Sequence, residues 1–131
     1  IIDNHLRTLP DRNHTLTAGS SMGGLMALYG PTGYNQYFSR AACLSPSLWT
    51  DPQGLLEMVE GCDLGTDTCI YMDYGTEEIG NHPATIQALG DMAALLYKKR
   101  VDLNFRIIPG GTHSEASWER QIPVFMQCLG V

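Results

Sequence analysis

Residues 15–30 read TLTAGSSMGGLMALYG, a short apolar run ending in two serines among glycines before an apolar stretch resumes. Gly19-Ser20-Ser21-Met22-Gly23 fits the pattern G-x-S-x-G with Ser21 at its centre. Five residues alone decide little, because a chain with 14 glycines yields about 0.08 such matches by chance. The surroundings carry the argument. A serine displayed on a sharp strand-to-helix turn needs a strand before it, a helix after it and small residues where the backbone doubles back. HTLTAG (14–19) has a strand's composition, and a helix is expected over 22–30. Gly23 and Gly24 remove side chains where that helix presses on the strand. Ser21 Oγ would then stand above the sheet, with the Met22 N–H at the helix N-terminus facing a developing oxyanion. Ser20, one place before the apex, is the poorer candidate for the nucleophile. A phosphate-binding turn competes with this reading, but neither G-x-x-x-x-G-K-[ST] nor G-x-G-x-x-G accompanies the stretch.

Outward from the serine, strand-like and helix-like runs alternate. HTLTAG (14–19), AACLSPS (41–47), CIYMDYG (69–75) and LNFRIIPG (103–110) read as strands. Helices are expected over 22–30, 52–60 and 83–100, with more after His113. Such alternation predicts an α/β fold, a parallel sheet with crossover helices. Asp51 before Pro52 is a cap and a first-turn proline, and Gly61 closes that helix. In the helix after Pro83, Ile86, Leu89, Ala93 and Leu96 recur at helical spacing and predict one buried stripe. Its end carries the chain's basic cluster, Lys98-Lys99-Arg100, which suits the negative pole of the helix dipole and needs no ligand to explain it. Pro123 divides the last helical region into a short helix from about 115 and another from Pro123 to Leu129.

Composition narrows the function. The 131 residues are 44% hydrophobic and 17% charged, ordinary for one folded domain with a real core. A formal charge of −6 without a basic face argues against a nucleic-acid partner. No apolar run approaches the roughly 18 residues of a membrane helix, so no membrane partner is expected. Cys43, Cys62, Cys69 and Cys128 lack C-x-x-C spacing and nearby histidine pairs, so neither zinc nor another metal is expected. Cys62 and Cys69 could bridge in an oxidising compartment, but idle thiols are the simpler reading and favour the cytoplasm over secretion. The opening IIDNHLRTLP has neither Met nor a signal pattern, and Ile1, Ile2, His5 and Leu6 look like the tail of an amphipathic helix. The chain therefore reads as a piece that starts within a domain, and targeting is not legible.

A serine hydroxyl becomes a nucleophile only when a base takes its proton, so a histidine must serve it. His5 and His14 precede Ser21, and His82 lies in an Asn-His-Pro turn. His113 follows a strand and Pro-Gly-Gly, at the same sheet edge as Ser21. The order serine, acid, histidine places the acid within YMDYGTEEIG, among Asp73, Glu77 and Glu78. Asp73 falls inside the strand and points to one of its faces. Glu77 and Glu78 lie past Gly75, on a loop that can reach the His113 loop. The residues alone leave those two open.

AGSSMGG, YMDYGTEE and PGGTHSEASWERQIPVFM together resemble the putative-esterase branch of the α/β hydrolases. That branch includes enterochelin esterase-like, feruloyl and acetyl-xylan esterase-like, and S-formylglutathione hydrolase-like enzymes. The resemblance implies a three-layer α/β/α fold. In its G-T-x-[DE] signature, Gly75-Thr76-Glu77-Glu78 makes Glu78 the acid. LSPSLWT resembles a strand-plus-loop segment in which Trp49 lines the substrate pocket. The H-x-[FE]-x-x-W segment matches His113, Glu115 and Trp118, with Trp118 read as packing. It further implies a serine carboxylic-ester hydrolase using Ser21, Glu78 and His113 through an acyl-enzyme, with Met22 in the oxyanion hole and no cofactor. The expected substrate is a small-molecule or sugar-linked ester. Residues 1–131 match the C-terminal half of a roughly 250-residue domain. The loop giving a second oxyanion N–H is not among them, so the isolated piece is expected to be inactive or barely active. A mycolyltransferase-like acyltransferase and a catalytically inactive binding or scaffold module are the alternatives. The oligomeric state is not legible.

Overall fold

The computed structural model describes residues 11–80 and 82–131, so the expected helix over Ile1, Ile2, His5 and Leu6 lies outside the described residues. Four strands, β1 (Leu16–Ser20), β2 (Arg40–Leu44), β3 (Cys69–Gly75) and β4 (Asp102–Ile108), form one sheet in chain order. Every neighbouring pair is parallel, and Leu16, Arg40, Cys69 and Asp102 stand in register at its lower edge. The helices are α1 (Met22–Gly33), α2 (Pro52–Glu60), α3 (His82–Lys98), α4 (Glu115–Glu119) and α5 (Ile122–Leu129).

A strand order advancing in one direction puts right-handed crossovers on a single face. Buried residues of α1, α2 and α3 accordingly pack with Ala41, Cys43, Ile70 and Met72. The alternate residues Ala42, Leu44, Cys69 and Tyr71 face the other way, where Phe125 and Leu129 of α5 cover them. The result is the expected α/β/α sandwich, and β3, buried along its whole length, is one of its two central strands. Among the described residues no helix is long and apolar enough to cross a membrane.

Local chemistry explains where elements depart from the periodicity. The second strand stops at Leu44, short of the expected Ser47, because Ser45 takes a positive φ of 44° and Pro46 has no N–H to pair. Helix α1 runs on through Pro31 to Gly33. A proline there leaves the carbonyl four residues back unpaired, and the Thr17 hydroxyl of β1 donates to that Ala27 oxygen at 2.6 Å. Helix α3 ends at Lys98, since Arg100 adopts φ 66°. Its buried stripe is Ala88, Leu89, Met92 and Leu96. Ile86, expected in that stripe, is exposed, because the helix meets the core only from its second turn onward. Lys99 Nζ donates to the Cys62 carbonyl at 2.8 Å, so part of the basic cluster is spent inside the fold. All four cysteines are free thiols, Cys62 and Cys69 included. The Cys62 thiol donates to the Met58 carbonyl and the Cys69 thiol to that of Cys128.

Candidate active site

Ser21 stands between β1 and α1 with φ 59° and ψ −123°, a backbone region that a side chain enters only when its surroundings force it. The turn is closed on itself: Ser21 C=O accepts from the N–H groups of Gly24 and Leu25. It also leaves no room beside Gly19, where a Cβ would sit 2.3 Å from the Gly23 carbonyl oxygen. Met22, the first residue of α1, presents an N–H that its own helix cannot satisfy.

The acid loop follows β3. Its turn packs against the loop after β4 so closely that a Cβ on Gly75 would lie 2.3 Å from Gly111 O. Glu77 N–H donates to Gly111 O at 2.8 Å, and Gly110 N–H donates to Thr76 Oγ1 at 2.8 Å. These contacts bring His113 over Glu78. His113 Nδ1 is 2.8 Å from Glu78 Oε1, and His113 Nε2 is 2.9 Å from Ser21 Oγ. A carboxylate only accepts, so Nδ1 carries the proton and Nε2 is left to accept from the serine hydroxyl.

The other candidates are placed elsewhere. Asp73 is 2% exposed and accepts from Tyr71 Oη at 2.7 Å and from Ser45 N–H at 3.0 Å. Burial pushes its carboxyl above the usual range, while the Tyr71 and Ser45 hydrogen bonds pull the other way. The Glu77 side chain is exposed. His82 Nδ1 pairs with Tyr74 Oη at 2.8 Å, and exposed His14 pairs with Asp11. His5 lies outside the described residues. Ser20 closes β1.

Two features behind the acid do not stand out in the sequence. Ser45 Oγ lies 2.5 Å from Glu78 Oε2, and the Trp118 indole N–H donates to Ser45 Oγ at 3.1 Å. Trp118 packs on the second core cluster, near the end of α4. Its ring also meets that of His113 edge-on, centroids 4.9 Å apart. Pro46, which cannot donate to a strand ladder, was the available signal that the chain turns at Ser45. Ser21 and His113 open into a cleft of about 490 Å³ whose walls include Pro46, Trp49, Tyr74, Ile79, Ala84 and Thr85. No cluster of three or more potential metal ligands occurs among the described residues.

A parallel sheet with crossover helices, a serine on a strand–turn–helix, and a carboxylate and a histidine on the next loops along one edge define an α/β-hydrolase type of fold. The model of the family described as Putative esterase matches residues 1–127, and the chain belongs to that family. No curated protein matches by sequence. The fold is similar to enterochelin esterase from Shigella flexneri (TM-score 0.74, 23% identity), covering 90% of this chain and 31% of that one. It is similar to the enterobactin esterase FES from Shigella flexneri, solved in the presence of enterobactin (TM-score 0.71, 26% identity), covering 90% and 30%. The BES protein from Bacillus cereus also matches (TM-score 0.73, 18% identity), covering 91% and 47%. The chain thus spans about a third of the length of the two Shigella enzymes.

Proposed function

We propose that this chain carries the catalytic triad of a serine carboxylic-ester hydrolase, with Ser21 as nucleophile, His113 as base and Glu78 as the acid. One observation carries the proposal: an unbroken line of hydrogen bonds from Ser21 Oγ through both ring nitrogens of His113 to a buried carboxylate. Ser21 Oγ attacks the ester carbonyl as His113 Nε2 takes its proton, and Glu78 steadies the imidazolium that forms. The Met22 N–H stabilises the oxyanion of the tetrahedral intermediate. His113 then returns the proton to the leaving alcohol. Water, deprotonated by the same nitrogen, releases the acid from the acyl-enzyme. Family membership supports an ester as substrate, and the cleft beside Trp49 is the place for its acyl or alcohol part. Small-molecule and sugar-linked esters both fit this reading. In the full-length protein, a fluorophosphonate probe should label one serine, and Ser21→Ala should abolish both labelling and hydrolysis of p-nitrophenyl butyrate. Labelling that survives the substitution sinks the assignment.

A further inference from the structure

Glu78 does not hold its own orientation. It sits on a loop past the end of β3, at 4% exposure, and only one of its oxygens faces His113. The other, Oε2, receives two donors: the Gly75 N–H at 2.7 Å and the Ser45 hydroxyl at 2.5 Å. Because an indole N–H can only donate, Trp118 fills an acceptor site on Ser45 Oγ and leaves its single proton to go to Glu78. Ser45 is itself fixed from beneath. Its N–H, at the positive φ that ends β2, points at both the carbonyl and the Oδ1 of Asp73, 3.1 and 3.0 Å away.

The same short loop grips the nucleophile. Ser21 N–H donates to Leu44 O at 3.0 Å, and Ser47 N–H donates to Ser21 O at 3.1 Å. Residues 44–47 therefore hold the two ends of the Ser21–His113–Glu78 line at once, on separate hydrogen bonds.

Resting on the triad reading above, we infer that Ser45 is a positioning residue for the reaction. Its hydroxyl turns Glu78 so that Oε1 meets His113, and Trp118 acts through Ser45 by directing that hydroxyl. Deleting the hydroxyl frees Glu78 Oε2 to rotate away from the Gly75 N–H and weakens the hold on the imidazole. Ser45 borders the cleft, but its hydroxyl is committed to Glu78 and Trp118 and is not offered to the ester, so turnover falls and substrate binding does not.

The test uses the full-length protein and p-nitrophenyl butyrate, with Ser45→Gly, Trp118→Phe, the double variant and Ser21→Ala. Glycine suits the positive φ at position 45, so the fold is kept while the hydroxyl goes. Trp118→Phe keeps a ring against His113 and removes the N–H. Ser45→Gly should lower kcat about 10- to 100-fold with KM changed less than about threefold and Tm not lowered. Trp118→Phe should lower kcat alone, and should cost less than about twofold more once Ser45 is glycine, because residues acting through one contact are not additive. Wild-type kcat in Ser45→Gly overturns the inference, as does a Trp118→Phe penalty equal in both backgrounds. Full turnover by Ser21→Ala overturns the triad reading and this inference with it. An inactive Ser21→Ala beside an unaffected Ser45→Gly overturns this inference alone.

Discussion

Ser21 has the backbone of a strained turn, and the nucleophile's role proposed for its side chain depends on that turn. The positive φ turns the hydroxyl out of the sheet toward His113 Nε2 at 2.9 Å, a direction the flanking strand could not give it. This much was legible in GSSMG and its neighbours. The position of the proposed acid was less so. Alternation along β3 correctly sets Asp73 inward, beside Tyr71, but nothing in the residue types separates Glu77 from Glu78. What distinguishes their positions is the tight turn after Gly75, which sends Glu77 to solvent and folds Glu78 back until Oε2 meets the Gly75 N–H. A turn's handedness has no sequence period, and only the family's signature pointed to Glu78. Glu78→Gln keeps the shape but presents a group that can hold the wrong histidine tautomer. It should lower kcat of ester hydrolysis by about 10³- to 10⁴-fold, and a variant within tenfold of wild type would contradict the proposed role.

At the scale of elements, strand β3 and helix α2 follow their sequence signals to the residue, since a wholly buried apolar run and a capped, proline-led helix have clear ends. The ends of α1 and β2 were hidden for opposite reasons. Pro31 looks like a stop, but a threonine on the neighbouring strand supplies the missing donor; Ser45 looks like a strand residue, but its backbone turns. Strand β3 also carries a pH response. Burial pushes the Cys69 thiol from 9.0 up to about 11. An unfolded chain ionises its thiol first, so the stability from burying Cys69 neutral is complete below pH 9 and is lost as pH rises toward about 11. Urea unfolding of wild type and Cys69→Ala should therefore show a stability difference that shrinks between about pH 8 and about pH 10.5. A difference that stays constant across that range would exclude the effect.

At the scale of the molecule, the described residues form unequal layers. Three helices share the large cluster on one face of the sheet, whereas α5 is held on the other by Phe125 and Leu129 and by Arg40 Nε donating to Leu129 O at 2.8 Å. The sequence foretold the sandwich and the break at Pro123. Which helix carries the thinner layer depends on crossover handedness, a property of the chain's path and not of any one segment. Phe125→Ala should cost about 3 kcal/mol, and amide exchange should accelerate more over 122–129 than over 82–98. Equal acceleration in both segments would mean the layers do not loosen separately.

Strand order identical to chain order has a further consequence, for the time at which the site comes into being. Each of the four described strands can dock on the one before it as it leaves the ribosome, with no gap left between them for a later strand. Ser21 is made before His113, which follows 92 positions behind it, on the order of ten seconds of synthesis. If Ser21 is the nucleophile proposed above, its hydroxyl is without its proposed base through that interval. On the proposed triad, reactivity would arrive with the His113 loop, after β1 to β4 have all been made.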